Sequence, residues 1–133
     1  MISNLVDGSA TGSLRSIGAI EENSDSSSEN YYVLGSNAIA LGYQAKASGI
    51  RSIAEGFQTT ASGSNSHAEG FGTITSESAS HAEGNWTTAS GINSHAEGSS
   101  TIASGINSHT EGSLTKASGA SSHAEGFQTT ASG

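Results

Sequence analysis

The 133-residue sequence has no cysteine, four lysines and arginines together, and one tryptophan. Without cysteine there is neither a disulfide framework nor a thiolate metal site, and the redox compartment is unconstrained. So few cations, in a chain of formal net charge −8, exclude a phosphate-binding surface and with it nucleic acid as a partner. No apolar run approaches the roughly 20 residues of a transmembrane helix, so no membrane contact is expected within this segment. The start, Met1-Ile2-Ser3-Asn4-Leu5-Val6, lacks the basic and apolar regions of a signal peptide. The expectation is export by another route, or a piece of a longer chain. Hydrophobic residues are 32% and aromatics 5%, which taken alone would describe a chain too poor in apolar surface to order itself.

Repetition overrules that reading. Ser66-His67-Ala68-Glu69-Gly70 returns unchanged at 80–84, 94–98 and 122–126, and with one change as Ser108-His109-Thr110-Glu111-Gly112. A second frame, Thr-x-Ala-Ser-Gly, sits half a period away at 59–63, 87–91, 101–105, 115–119 and 129–133. The period is fourteen residues. A fixed short period means a coil stacked on copies of itself. Residues 1–30 stand outside the register. Leu14, Ile17 and Ile20 share a helical spacing, Gly18 weakens it, and 21–30 (EENSDSSSEN) is polar and acidic. This segment is read as an N-terminal cap or linker, and 31–133 as the repeat domain of about seven coils.

Between the two glycine columns the alternation has period two, which is strand periodicity. Thr59, Ala61 and Gly63 share one face of one strand, and Ser66, Ala68 and Gly70 share one face of the next. Both faces are tiny, so they are expected to meet inside a flat coil, with coils stacking through parallel ladders at about 4.8 Å. The fold class is therefore all-β, a parallel β-roll, about 30 Å long. An interior of Ala, Ser, Thr and Gly buries few methylenes against the entropy of ordering the chain. Outward columns that begin as Ile39, Leu41 and Ile53 therefore point to cover by another chain, making the roll a protomer of an oligomer.

Asn37-Ala38-Ile39-Ala40-Leu41-Gly42, followed by small residues at fixed spacing to Ala47 and Gly49, resembles the head repeat of YadA-like trimeric autotransporter adhesins. The resemblance covers about residues 31–133. It implies a left-handed roll and a homotrimer whose interface is Ile39, Leu41, Ile53, Glu55, His67, Glu69, His81, Glu83, His95, Glu97, His109, Glu111, His123 and Glu125. The His-Ala-Glu-Gly variant, with the leading segment 4–19, is also similar to repeat regions of Gram-positive phage and prophage tail-fibre proteins. That likeness implies a self-cleaving C-terminal chaperone domain, where the adhesins carry a coiled-coil stalk and a membrane anchor; neither is found in 1–133.

Each His is followed two residues later by a Glu facing the same way, so a trimer would present three of each per layer. The expectation is pairing of imidazole with carboxylate across the interface, which would make the assembly loosen in acid. The histidines His67, His81, His95, His109 and His123 are also the only candidate axial metal ligands; no cofactor or dedicated metal site is assigned. Catalysis is not expected. Ser66 points into the roll while His67 points out, and a ladder of identical carboxylates has no differentiated acid. An ice-binding reading of the Thr59, Thr73, Thr87, Thr101, Thr115 and Thr129 rank fails on parity, since it shares the inward face. Tyr43, Phe57 and Phe71 follow a column glycine and stack along one edge, with Trp86 one position over; Phe57, Phe71 and Trp86 are the candidate recognition strip for a cell-surface carbohydrate or protein receptor. Glu77, in place of a column glycine, is expected to mark a local bulge or widened turn. The protein is read as the shaft or receptor-binding head of a trimeric extracellular fibre, a phage or prophage tail fibre on the virion. The alternative is the adhesive head of a bacterial cell-surface protein.

Overall fold

A computed structural model describes residues 34–133; the expected cap at 1–30 and the start of the register at Tyr31 lie outside them. Each coil contributes two strands. The first holds β1 (Ile39–Leu41) and β2 (Lys46–Ala47), the second β3 (Ile53–Phe57) and β4 (Thr60–Ala61), the third β5 (His67–Phe71) and β6 (Ile74–Thr75). Then follow β7 (His81–Asn85) and β8 (Thr88–Ala89), β9 (His95–Ser99) and β10 (Ile102–Ala103), β11 (His109–Thr110) and β12 (Lys116–Ala117), and β13 (His123–Ala124) and β14 (Thr130–Ala131). The odd strands form one seven-stranded sheet and the even strands another, every neighbour parallel. Register is one full repeat throughout: Ile53 lies opposite His67, His67 opposite His81 and His81 opposite His95. The architecture is the parallel β-solenoid that the fourteen-residue period requires.

The interior is made of the smallest apolar side chain. Among the described residues every buried hydrophobic is alanine. Ser52, Ser66, Ser80, Ser94 and Ser108 are buried beside them, as are Thr59, Thr73, Thr87, Thr101 and Thr115. The threonine rank therefore points inward, as parity demands. Two departures from Ala subdivide the core. Thr75 takes the place of Ala61, and the alanine cluster that includes Ala61 and Ala68 ends there; the next begins at Ala82 and stops at Ala103, before Thr110. Thr75 offsets its buried hydroxyl by donating to Ser66 Oγ at 3.0 Å, whereas the Thr110 hydroxyl finds no partner.

Buried hydroxyls also fasten the turns. Ser52, Ser66, Ser94 and Ser122 donate to the carbonyls of Gly49, Gly63, Gly91 and Gly119, three residues back, at 2.6–2.8 Å. On the opposite edge, Thr87 and Thr101 donate to the carbonyls of Glu83 and Glu97 at 3.1 Å. Such local bonds give the backbone a definite corner where the ladder ends.

The corners themselves are left-handed. Asn37, Arg51, Asn65, Ala79, Asn93, Asn107 and Ser121 form one column of positive φ, between 55° and 60°. Gln44, Gln58, Gly72, Trp86, Ser100, Leu114 and Gln128 form the other, between 53° and 64°. Each costs an L-residue with a Cβ roughly 1–2 kcal/mol, least for Asn, which accounts for four of the first column. The conformation is held because its N–H is used by the coil before: Asn65 donates to Ile50, Gln58 to Tyr43 and Trp86 to Phe71, all at 2.8 Å.

The two strands of a coil are unequal: β3, β5, β7 and β9 run for five residues, but the even strands for only two. One expectation is corrected: Gly70 does not share the inward face of Ser66 and Ala68. It is exposed, with φ of 110°, and Gly56, Gly84 and Gly98 behave alike. The chain twists at this glycine, so alternation is lost and the following residue is exposed too. At Glu77 the ladder stays in register, Ala61 opposite Thr75. What changes is the turn: Gly49, Gly91 and Gly105 each donate to a carbonyl of the next coil at 3.2 Å, and neither Gly63 nor Glu77 makes that bond among the described residues.

Candidate interaction faces

The outward face of the odd-strand sheet carries the His and Glu columns. His67, His81, His95, His109 and His123 form one unbroken stack, ring centroids 4.8–4.9 Å apart and planes within 5°. The spacing is simply the coil rise, since parallel in-register strands bring identical side chains into line. Four of the five imidazoles lean toward the carboxylate of the coil before. His67–Glu55, His81–Glu69, His95–Glu83 and His109–Glu97 approach at 3.4–3.6 Å through Nε2 and Oε1. Within one chain, pairing therefore occurs between successive coils. Of the four, His81–Glu69 meets hydrogen-bond geometry; Nε2 of His67, His95 and His109 is covered yet has no hydrogen bond. The side chains remain 33–43% exposed, so solvent screens these pairs and each contributes little alone.

The same columns define the candidate metal ligands. His67, Glu69 and His81 have ligand atoms within 4.8 Å of one another, and so do Glu83, His95 and Glu97, Glu97, His109 and Glu111, and Glu111, His123 and Glu125. Two imidazoles sharing one ion lie at most about 4.2 Å apart, nitrogen to nitrogen. Parallel rings 4.8 Å apart are too distant for that, so three of the groups set one His between two carboxylates, and in the first His67 and His81 flank Glu69. At the start of the face, Leu41 and Ile53 are each 36% exposed. A shallow open groove runs beside it, lined by Glu83, Glu97, Glu111 and the exposed glycines.

The corner after the exposed glycine carries the aromatics. Tyr43, Phe57 and Phe71 stack with centroids 4.9 Å apart, and Trp86 meets Phe71 edge-on at 5.4 Å and 77°. All four lie on the surface. Phe127 occupies the same position four coils after Phe71 but has no aromatic neighbour between, because Asn85, Ser99 and Ser113 fill the column. The structure thus brings Phe57, Phe71 and Trp86 together on one ridge, at the corner that follows the His–Glu strands.

Three features of these surfaces were missing from the sequence reading. The serine and threonine clamps, the left-handed corners and the amide ladders, Gln58 to Gln44 at 2.8 Å and Asn93 to Asn107 at 3.1 Å, all repeat at fourteen-residue spacing. The recurrence of Asn at 37, 65, 93 and 107 was the available signal for the corners.

Comparison with protein families agrees with the geometry. Residues 34–59 and 54–73 match the YadA head domain repeat in two copies. The matched stretch runs from the first described coil into the third, and includes the apolar start of the His–Glu face. No curated protein matches the chain. The fold is a parallel β-solenoid, and residues 34–73 of it are similar to the YadA head domain repeat.

Proposed function

We propose that the chain is the β-solenoid head or shaft of a homotrimeric extracellular fibre, assembled through the outward face of the odd-strand sheet. One observation carries the reading: the protein keeps its smallest side chains inside and its large apolar ones outside. Among the described residues all buried hydrophobics are alanine, while Leu41, Ile53, Phe57, Phe71, Ile74 and Trp86 are exposed. A core of methyl groups is too little to offset the ordering of so many residues, and association of copies supplies the missing burial. The odd-strand face is the candidate interface because it is long, regular and apolar at its start. Ile39, Leu41 and Ile53 provide the dry end, and the columns from Glu55 and His67 to Glu125 provide polar register. The match to the YadA head repeat supports three copies about one axis and a place outside the cell.

The role is mechanical and adhesive. The hydroxyls that would serve as nucleophiles, such as Ser66 and Ser94, are buried and bound to backbone carbonyls, which is the behaviour of structural groups. The family match favours the adhesin head among fibre types; the tail-fibre reading rests on the His-Ala-Glu-Gly variant and the leading segment 4–19. The deciding measurement is mass in solution by light scattering, with and without chelator. Three times the 13.2 kDa chain mass, unchanged by chelation, supports the interface as drawn. Dissociation on chelation would move a metal onto the axis. A stable monomer would sink the proposal.

A further inference from the structure

Within the repeat, the segment 85–91 departs from its copies at 57–63 and 127–133 at only two positions: Asn85 and Trp86 replace Phe and Gln, and Thr87 to Gly91 continue unchanged. One coil earlier, Phe71-Gly72-Thr73 departs from Phe57-Gln58-Thr59 by putting Gly where the others have a side chain. These two departures touch. Gly72 is buried, and a Cβ on it would lie 2.6–2.8 Å from atoms Cε3, Cδ2 and Cζ3 of the Trp86 indole.

The glycine is not there for its backbone. Gln44, Gln58, Ser100, Leu114 and Gln128 adopt the same left-handed corner with a side chain in place. Gly72 makes room for the indole, which lies against its Cα and is braced edge-on by Phe71. Trp86 in turn holds φ of 55°, a conformation disfavoured for a bulky residue. With one face of the ring covered, its 54% exposure belongs to the other face and the rim. No aromatic follows in the next coil, which presents Ser99 and Ser100 at the matching positions. Asn85 and Ser99 are exposed beside it, and neither they nor the indole N–H makes a side-chain hydrogen bond among the described residues.

We propose that Trp86, seated on Gly72 and flanked by Asn85 and Ser99, is a platform for a neutral, gluco-configured pyranose of a surface glycan. A flat ring with one open face matches a sugar whose substituents are all equatorial, because both faces of such a ring are C–H only. The rim amide and hydroxyl reach its hydroxyl groups, and the indole N–H supplies a further donor. The chain's net charge of −8 disfavours anionic sugars. The site lies within one chain, so it goes beyond the fibre reading and does not need the trimer.

Trp86 is the single tryptophan, so its emission reports on this site alone. Titrating the chain with cello- and chito-oligosaccharides should give a saturable change in Trp86 fluorescence. In ligand-observed NMR, Trp86→Gln, which installs the residue found at Gln58 and Gln128, should abolish binding. Gly72→Gln should keep the tryptophan but unseat it and weaken binding about tenfold, with the far-ultraviolet spectrum and melting transition of both variants unchanged. Should Gly72→Gln fail to fold, Trp86→Gln still decides. No response to any of these sugars, binding that survives Trp86→Gln, or preference for a sialylated glycan would each overturn the proposal. Sugar binding by a monomer would keep it while ending the fibre reading, and a trimer blind to these sugars would do the opposite.

Discussion

Gly49, Gly63, Gly91, Gly105 and Gly119 form a buried column with no positive φ, whereas Gly56, Gly70, Gly84, Gly98 and Gly112 are exposed and hold φ between 104° and 117°. In both columns a Cβ would fall on a backbone carbonyl of the next coil: that of Gly119 for Gly105, and that of Gly98 for Gly84. The first column is needed for space alone, the second for space and conformation together. This difference explains why the chain breaks one column and not the other. Glu77 enters the buried column at the cost of a turn hydrogen bond on each side, while the exposed column runs unbroken from Gly42 to Gly126. A steric demand can be met by a small backbone shift, but a positive φ near 110° excludes side chains wherever the backbone moves.

The comparison can be broken by substitution. Gly84→Ala should have the largest effect, a loss of about 3 kcal/mol or more, because strain and collision add; thermal or denaturant melting measures it. Gly105→Ala, facing the collision alone, should cost about 2 kcal/mol. Equal losses at the two sites would show that φ contributes nothing to the distinction. Ser94→Ala removes the hydroxyl that bonds both the carbonyl and the N–H of Gly91, at 2.6 and 3.1 Å, and should cost about 1 kcal/mol. Smallest of all, Glu77→Gly restores the turn bond but adds unfolded-chain entropy, so a gain below about 1 kcal/mol is expected. A loss on that substitution would mean Glu77 contributes a contact of its own.

How far the sequence spoke depended on whether one coil suffices to state the rule. Strand parity, the parallel stack, the buried Ala61 and Thr59 columns and the outward His67 column need only local alternation, and all are found. The Tyr43–Phe57–Phe71 stack needs only the period. Gly70 was misplaced because alternation presumes an extended backbone, and its φ of 110° is invisible in the letter G. Pairing within one chain was not legible: that His81 meets Glu69 of the preceding coil depends on which way the side chains lean along the stack. The partnership of Gly72 and Trp86 was hidden for another reason. Each looks like a lapse in the repeat until the two are seen one above the other.

The uniform stacking of the coils has a genetic consequence. Each coil touches only the one before and the one after, and successive histidines lie 4.8–4.9 Å apart all along the stack. Duplicating or deleting fourteen residues in frame therefore lengthens or shortens the rod by one step and leaves every other layer in its former surroundings. The protein behaves as a ruler graduated in coils: its reach is set by counting, and unequal recombination between near-identical repeats is enough to reset it.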